Sequence, residues 1–220
     1  HGEDSGLLKK GGWIVEGTAG NTGIGLCHIA NEKGYKCLFI IPTKMAQEKV
    51  DTLECMGATV ERSPMVPPTD PRHFYTAMQT RAKELGGYNT NQFENHANYK
   101  AHYETTGPEI WNQTDKKLDA FICACGTGGT ISGVSKYLKD QKKEVQCFLI
   151  NPPGVGFKAL RKGEGKLDIV AKTPEEKDPN VKSVLEGIGS GRVYGNLAQA
   201  NIDGTFQGTD EEAVKMAHYL

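Results

Sequence analysis

Eight residues in the middle of the chain, 123–130, constrain its fold more than any other stretch. Residues 118–125 are apolar and predict a buried strand, residues 131–139 predict a helix, and the residues between them are mostly glycine. In such a junction the first N–H groups of the helix point at one spot, the helix dipole adds positive charge, and no Cβ blocks an anion. The pattern therefore predicts a phosphate-sized anion site made of Gly126, Thr127, Gly128, Gly129 and Thr130.

A second glycine-rich string, residues 16–25, also follows an apolar run and also opens a predicted helix. A single string of this kind is more often only a tight turn, whereas two of them at strand-to-helix junctions favour a binding site. Glycines at positions 17, 20, 23 and 25 match neither the dinucleotide-binding pattern nor a P-loop. We therefore expect no nucleotide here, and we expect Asn21 and Thr22 to cap the helix.

Strand and helix patterns alternate along the whole chain, with glycine stops between them. The continuous apolar run at 37–41 is typical of a parallel strand covered on both faces. The alternation predicts an α/β protein with two lobes and doubly wound, mostly parallel sheets. We predict that residues 13–97 form the smaller domain and that residues 1–12 and 98–220 belong to the larger one.

Three segments interrupt this regular pattern. Residues 154–182 are charged and weakly periodic, and predict an exposed excursion or a flexible flap. Pro108 falls inside a helical pattern over 97–113 and predicts a bend or a break there. Residues 210–220 predict a helix capped by Thr209 or Asp210.

A polar loop at 91–95 follows a short predicted strand at 88–90. The loops at 18–22 and 126–130 likewise follow predicted strands. Because open α/β sheets bind ligands at the carboxyl ends of their strands, we expect the three loops to converge on one cleft.

Composition excludes several classes of function. The net charge is −1, which indicates neither nucleic acid nor an anionic membrane as partner, and no apolar run approaches the roughly 20 residues of a membrane helix. The six cysteines lie in apolar segments without Cys-x-x-Cys spacing, which favours free thiols in a reducing compartment. We expect no metal site and a cytoplasmic protein, with a mitochondrial location as the alternative.

Three separated motifs, in this order, resemble those of the cysteine synthase family, which belongs to the pyridoxal-phosphate enzymes of the tryptophan-synthase β type. They are Thr18-Ala-Gly-Asn-Thr22, Asn91-Gln-Phe93 and Gly126-Thr-Gly-Gly-Thr130. Residues 48–53, 101–111 and 186–189 extend the similarity over most of the chain. The resemblance implies fold type II, pyridoxal 5'-phosphate as cofactor and a homodimer. It also predicts that this chain is the central part of such a protein, truncated at both ends.

The resemblance further implies a role for each matching residue. Gly126, Thr127, Gly128, Gly129 and Thr130 would hold the cofactor phosphate, Asn21 would contact its phenolic oxygen, and Gly187 would line the cleft beside it. The substrate carboxylate would be bound by Thr18, Ala19, Gly20, Thr22 and Gln92, with Ala19 standing where the family usually has serine. From the residues alone, Gln92 could instead bond only to backbone, and Gly187 could be a simple turn glycine. His102, Tyr103 and Trp111 are predicted to pack.

The reaction implied by the resemblance is β-replacement, in which O-acetyl-L-serine and sulfide give L-cysteine and acetate. The family's Schiff-base lysine motif, Asn-x-x-Gly-Ser-x-Lys-Asp-Arg, does not occur in these residues, so the catalytic residue is unidentified. Family spacing would place it before His1. Two alternatives stay open, a cystathionine β-synthase acting on serine and homocysteine, suggested by residues 42–51, and a non-catalytic binding or scaffold relative.

Overall fold

The computed structural model describes residues 1–18, 20–67, 69–152, 157–162, 166–171, 183–185, 187–189 and 192–220. These residues form two compact units, His1–Gln92 and Phe93–Leu220. Each unit is built around its own sheet, and the two are treated separately below.

The first unit alternates strands and helices from its beginning to its end. Its elements are β1 Trp13–Gly17, α1 Asn21–Lys33, β2 Lys36–Pro42, α2 Gln47–Cys55, β3 Thr59–Ser63, α3 Phe74–Glu84 and β4 Tyr88–Asn89. The four strands form one sheet in the order β3-β2-β1-β4, and every neighbouring pair is parallel.

Strand β2 is the centre of this unit's core, as its continuous apolar run predicts. Phe39 and Ile41 pack into one buried cluster with residues of α1 and α2. Leu38 and Ile40 face the other way, into a second cluster with Met78 of α3. Because both faces of the sheet are covered, none of these side chains is more than 2% exposed.

The second unit carries a smaller parallel sheet. Its elements are α4 Ala97–Ala101, a π-helical turn His102–Thr106, α5 Gly107–Gln113, β5 Ala120–Ala124, α6 Gly129–Gln141, β6 Gln146–Asn151, β7 Phe157–Lys162, β8 Lys166–Ala171, a 3-10 helix Leu197–Gln199, β9 Gly204–Gln207 and α7 Asp210–Tyr219. The strands pair in the order β5-β6-β9, all parallel, and β7 pairs with β8 antiparallel. The predicted fold class, α/β with mostly parallel sheets, is confirmed.

Two segments differ from the sequence prediction. Within residues 154–182, the described parts form the antiparallel pair β7 and β8, and the rest of that predicted excursion lies outside the described residues. Pro108 does not break the helical segment, because a π-helical turn precedes it, in which the N–H of Gly107 bonds to the carbonyl of His102. Pro108 therefore lies in the first turn of α5, where a missing N–H costs little.

Residues 1–12 lie in the first unit, although the sequence assigned them to the larger domain. The side chain of Leu8 packs against the core cluster that contains Phe39. The carbonyl of Gly12 accepts a hydrogen bond of 3.0 Å from the N–H of Lys36, at the start of β2. Apolar burial and a backbone bond therefore join this segment to its sequence neighbours. In the second unit, Thr209 is the N-cap of α7, with Glu212 completing a capping box.

Candidate active site

Thr18 and Gly20 lie between the end of β1 and the start of α1. Thr18 is buried, and its hydroxyl accepts a bond of 3.2 Å from the N–H of Gly20. Gly20 is the N-cap of α1 and makes no side-chain cap bond. The prediction that Asn21 and Thr22 cap the helix is wrong, because Gly20 is the N-cap and both residues lie inside the first helical turn. Ala19 lies outside the described residues.

Gln92 follows the edge strand β4, which pairs with β1, and its side chain bonds to residues on either side of Thr18 and Gly20. Its side-chain oxygen Oε1 accepts a hydrogen bond of 2.6 Å from the hydroxyl of Thr22. Its amide nitrogen Nε2 donates to the carbonyl of Gly17 at 2.9 Å. The structure thus brings Thr18, Gly20, Thr22 and Gln92 into one cluster. The amide that was expected to meet a substrate carboxylate bonds here to protein atoms, so that role stays a prediction.

The cluster is organised around a buried carboxylate that the sequence reading missed. Glu16 is 0% exposed and accepts hydrogen bonds of 2.9 Å from the N–H groups of Gly17 and Gln92, and a further bond from the hydroxyl of Thr90. Burial raises the pKa of the Glu16 carboxyl, and the bonds from these donors oppose the rise. The available signal was one acidic residue inside the apolar strand β1.

The anion loop of the second unit has the geometry that the sequence predicts. Strand β5 leads through Cys125 into residues 126–128, and α6 begins at Gly129, two residues earlier than predicted. Gly128 is the N-cap in the left-handed region, with φ of 91°. The N-terminus of a 13-residue helix therefore opens onto this loop, with its dipole and its first-turn N–H groups, of which that of Gly129 donates to Oγ1 of Thr127 at 3.3 Å.

Close packing from outside crowds three of these glycines. A Cβ built on Gly126 would lie 2.3 Å from the carbonyl oxygen of Gly187. One on Gly128 would lie 2.6 Å from the Cβ of Leu197, and one on Gly129 would lie 1.9 Å from Oδ1 of Asn98. All of these distances are shorter than any real Cβ contact. The carbonyl of Gly187 therefore lies beside the loop, whereas the predicted place of Gly187 beside a cofactor stays a prediction.

The two threonines of the loop are held by one helical face. Oγ1 of Thr127 accepts a bond of 3.0 Å from Nδ2 of Asn98, and Oγ1 of Thr130 lies 3.3 Å from Nε2 of His102. The other ring nitrogen of His102 lies 3.0 Å from the hydroxyl of Thr106. Burial lowers the pKa of His102, which favours the neutral ring.

This arrangement corrects the expectation that His102 only packs. Its partner Thr130 belongs to the anion loop. Trp111 does pack, in a buried cluster with Val134 and Leu138, and the hydroxyl of Tyr103 donates to Asp140 at 2.9 Å. Sequence reasoning missed Asn98 altogether, because an asparagine near the start of a helix carries no signal of a partner 29 residues away.

A cavity of about 800 Å³ lies in the same unit, at the carboxyl ends of its three parallel strands. Ala124, Ile150 and Gln207 from those strands line it, together with Ile188 and residues of α7. Burial raises the pKa of the neighbouring Cys125 thiol to about 12 and also raises the pKa of Cys123. Both cysteines are therefore protonated at neutral pH and supply no thiolate nucleophile.

Several further features bear on the kind of site. The six cysteines are all free thiols. Across the described ranges, no three His, Cys, Asp or Glu side chains are grouped so as to hold a metal ion. None of the helices described has both the length and the apolar character needed to cross a membrane.

The loop at 126–130 fits a phosphate group. The N-terminus of α6 supplies positive potential at this loop, and the loop carries the hydroxyls of Thr127 and Thr130. We call residues 126–130 the phosphate cradle. The cluster of Thr18, Gly20, Thr22 and Gln92 is called the carboxylate loop. That the two meet in one cleft stays a prediction.

Comparison with known proteins places these motifs in a family. Residues 2–220 match the sequence profile of the family described as pyridoxal-phosphate dependent enzyme. Cysteine synthase 1 of Emericella nidulans is 43% identical over 98% of this chain, and cysteine synthase of Dictyostelium discoideum is 41% identical over all of it. The chain spans 57% and 58% of the length of these two relatives.

More distant relatives and solved structures agree with this placement. Cystathionine beta-synthase of Oryctolagus cuniculus is 35% identical over 99% of this chain and 38% of its own length. The crystal structure of O-ureido-L-serine synthase matches the whole chain with a TM-score of 0.82 and 26% identity, and 64% of that structure is covered. Similarity in sequence and similarity in fold therefore lead to the same group of proteins.

Proposed function

The chain belongs to the family of pyridoxal-phosphate dependent enzymes, and from that premise we propose that its protein forms L-cysteine from O-acetyl-L-serine and sulfide. The observation that supports the proposal is the phosphate cradle, a glycine-rich turn onto which the N-terminus of α6 opens, because such a turn suits an anion. The names of the relatives at 41–43% identity support cysteine synthesis as its use. The reaction is a transferase step of cysteine biosynthesis that releases acetate.

The cofactor would be held mainly by backbone. The N–H groups at the start of α6 and the hydroxyls of Thr127 and Thr130 would bind its phosphate. Asn21 would contact its phenolic oxygen, and Gly187 would line the space beside its ring. When bound, the cofactor supplies an electron sink that stabilises negative charge on the substrate's α-carbon.

The carboxylate loop would orient the amino-acid substrate. Backbone N–H groups of residues 18–20 and the hydroxyl of Thr22 are donors suited to a carboxylate, which only accepts hydrogen bonds. Gln92 would bind the far carboxylate oxygen after its Nε2 exchanges the carbonyl of Gly17 for the ligand. Holding the carboxylate and the phosphate at once fixes the α-carbon between them, and such positioning contributes to the rate.

A cystathionine β-synthase is the second candidate. Residues 42–51 resemble that enzyme's usual string, and the rabbit relative is matched over 99% of this chain. The lower identity, 35% against 41–43%, favours the first reading. A direct comparison of sulfide and homocysteine as second substrates, each with O-acetyl-L-serine and with L-serine, decides between the two.

The proposed partners are small molecules, namely the amino-acid substrate and sulfide, with a second copy of the chain in a homodimer. We propose a cytoplasmic location, which the six free thiols support. A mitochondrial location is the alternative, since a relative from Saccharomyces cerevisiae carries the name putative mitochondrial cysteine synthase.

The experiment depends on the family's Schiff-base lysine. None of the lysines of this chain lies in the family's motif. We therefore expect the 220 residues alone to bind the cofactor weakly, to show no absorption band of covalently held cofactor and to make no cysteine. General acid–base catalysis typically contributes about 10²–10⁴-fold, so its loss would lower turnover by that factor, in addition to the effect of losing the covalent anchor.

The test compares the 220-residue chain with the protein expressed from its full reading frame. Absorption spectra with added cofactor and a sulfide-dependent cysteine assay are recorded for both. The proposal expects both signals from the longer protein only. Turnover by the 220-residue chain would show that one of its own lysines serves, and absence of turnover from the longer protein would favour the non-catalytic alternative.

A further inference from the structure

We propose that Asn98 is a positioning residue of the phosphate cradle. Its side chain holds the hydroxyl of Thr127 so that the hydroxyl proton points to the phosphate. The inference rests on the proposed function, because it needs a phosphate in the cradle. It adds a residue outside the three recognised motifs, and it assigns that residue a task that can be measured separately from turnover.

The hydroxyl of Thr127 already uses its capacity to accept hydrogen bonds. Oγ1 of Thr127 accepts a bond of 3.0 Å from Nδ2 of Asn98 and another of 3.3 Å from the N–H of Gly129. A hydroxyl oxygen has two acceptor positions and one proton to donate. With both acceptor positions taken, the proton of Thr127 is directed away from these partners. A phosphate group only accepts hydrogen bonds, so it requires a hydroxyl in this state.

The side chain of Asn98 is seated tightly enough to do this. Its Oδ1 occupies the place where a Cβ on Gly129 would stand, at 1.9 Å. Asn98 lies in the first turn of α4, and its N–H bonds to the carbonyl of Asn95 at 3.1 Å. The amide is thus confined between the backbone of α6 and the hydroxyl of Thr127. The same closeness leaves little room for a side chain at residue 129.

Comparison with the second threonine explains why Asn98 is the residue to test. His102 lies one helical turn after Asn98 and meets Thr130 in a similar way. A neutral imidazole nitrogen is either a donor or an acceptor, according to its tautomer. The amide nitrogen of Asn98 can only donate. Of the two hydroxyls, the one on Thr127 therefore has its direction set by a partner with a fixed role.

The experiment measures cofactor affinity and does not depend on turnover. Protein from the full reading frame is freed of cofactor and titrated with pyridoxal 5'-phosphate and, separately, with pyridoxal, which lacks the phosphate. We expect Asn98→Ala to weaken binding of the phosphorylated ligand about tenfold, the effect of one hydrogen bond to a charged group. Binding of pyridoxal should not change.

A double-mutant cycle with Thr127→Val isolates the coupling. If Asn98 acts through the Thr127 hydroxyl, Asn98→Ala causes no further loss once that hydroxyl is gone. The variant Asn98→Asp keeps the shape of the side chain but replaces the donor by an acceptor. We expect it to weaken binding more than Asn98→Ala, since it adds like-charge repulsion and turns the Thr127 proton toward itself. Thermal unfolding of each variant without ligand checks that its fold is intact.

The outcomes separate this inference from the proposed function. An equal loss from Asn98→Ala with and without the Thr127 hydroxyl would overturn the positioning role and leave the cofactor assignment standing. An equal loss for pyridoxal would show a general structural effect and would also overturn it. If the unmodified protein bound pyridoxal no more weakly than pyridoxal 5'-phosphate, the cradle assignment itself would fall, and the proposed function with it.

Discussion

The phosphate cradle and the carboxylate loop are alike in sequence and unlike in what holds them. Both are glycine-rich turns from a parallel strand into a helix. In the cradle, Gly126, Gly128 and Gly129 are each pressed by a neighbour at less than 3 Å from a built Cβ. In the other string, a Cβ on Gly20 would meet only the side chain of Lys49, at 3.7 Å, whereas one on Gly17 or Gly23 would lie 2.9 Å or 3.0 Å from side-chain atoms of Phe74 and Thr18.

The carboxylate loop is held by hydrogen bonds instead. Gln92 bonds to both Glu16 and Thr22. Glu16 and Gln92 also bond to the backbone of Gly17. Hydrogen bonds can be exchanged for bonds to a ligand at small net cost, whereas crowded backbone cannot shift without strain in its surroundings. We infer that the cradle is preformed for a cofactor that stays bound, and that the carboxylate loop can rearrange for a substrate that enters and leaves.

The largest effect should come from filling a crowded glycine. Gly128→Ala adds a Cβ at 2.6 Å from Leu197 and forces alanine into the left-handed region at φ of 91°. Overpacking and backbone strain together should lower the free energy of unfolding by about 3 kcal/mol, measured by urea denaturation. Gly25→Ala, inside the helix that follows the other loop, is the control. Because Gly25 is exposed within α1, alanine there should stabilise the protein by about 0.5–1 kcal/mol.

Equal destabilisation by the two substitutions would break the comparison, since it would mean that crowding does not distinguish the loops.

The second effect tests whether a buried carboxylate holds the other loop. Glu16→Leu removes the carboxylate that accepts hydrogen bonds from the N–H groups of Gly17 and Gln92 and from the hydroxyl of Thr90. Loss of these bonds at a buried site should cost about 2–3 kcal/mol of unfolding free energy. Glu16→Gln keeps one oxygen and should cost less. If leucine were tolerated as well as glutamine, the hydrogen bonds to Glu16 would not be what fixes this loop.

The third prediction concerns pH. Because burial raises the pKa of Glu16 in the folded state, the folded protein binds this proton more tightly than the unfolded chain does. The contribution of Glu16 to stability is therefore full below its unfolded pKa, near 4.5, and is lost as pH rises through the folded pKa. Unfolding free energies of the native protein and of Glu16→Gln, measured from pH 4.5 upward, should show the native protein falling relative to the variant. A difference that grew with pH would show that the hydrogen bonds outweigh desolvation.

The smallest effect should come from a single exchangeable bond. Thr22→Val removes the hydroxyl that donates to Oε1 of Gln92 at 2.6 Å and should lower the unfolding free energy by about 1 kcal/mol. Thr22→Ser retains the hydroxyl and is the control. For the proposed enzyme, the valine variant should raise the KM for O-acetyl-L-serine more than it changes kcat, because the hydroxyl orients the bound carboxylate. An unchanged KM would remove Thr22 from substrate binding.

The sequence predicted best what depends on local pattern. The alternation of strands and helices, the buried run of β2 and the turn at Gly128 follow from hydrophobic period and glycine position. It also predicted that Thr22 and Gln92 lie close together, through the family resemblance, and their hydrogen bond confirms it. Helices α1 and α6 begin one or two residues earlier than apolar periodicity predicts, because Gly20 and the left-handed Gly128 are their N-caps.

The partners of polar side chains could not be predicted in this way. Glu16 is recognisable only as a charge inside an apolar strand, and the bond between it and Gln92 spans 76 residues. Asn98 and His102 give no signal, because their partners come from another element. Which polar groups meet depends on tertiary packing, which periodicity does not encode. The location of residues 1–12 in the first unit has the same origin.

The π-helical turn at His102–Thr106 has a further consequence for the helical segment that contains it. Asn98 and His102 meet the cradle threonines, and Gly107 and Trp111 meet α6 and the core beneath it, at spacings of four, five and four residues. An uninterrupted α-helix turns about 100° per residue, so the five-residue step would carry the second pair of contacts out of phase by that angle if the segment were α-helical throughout. The π-helical turn absorbs the extra residue and keeps both pairs of contacts seated. Deleting one residue from this turn would therefore leave an ordinary α-helix with both contact faces in register, whereas a deletion elsewhere in the segment would rotate one pair away.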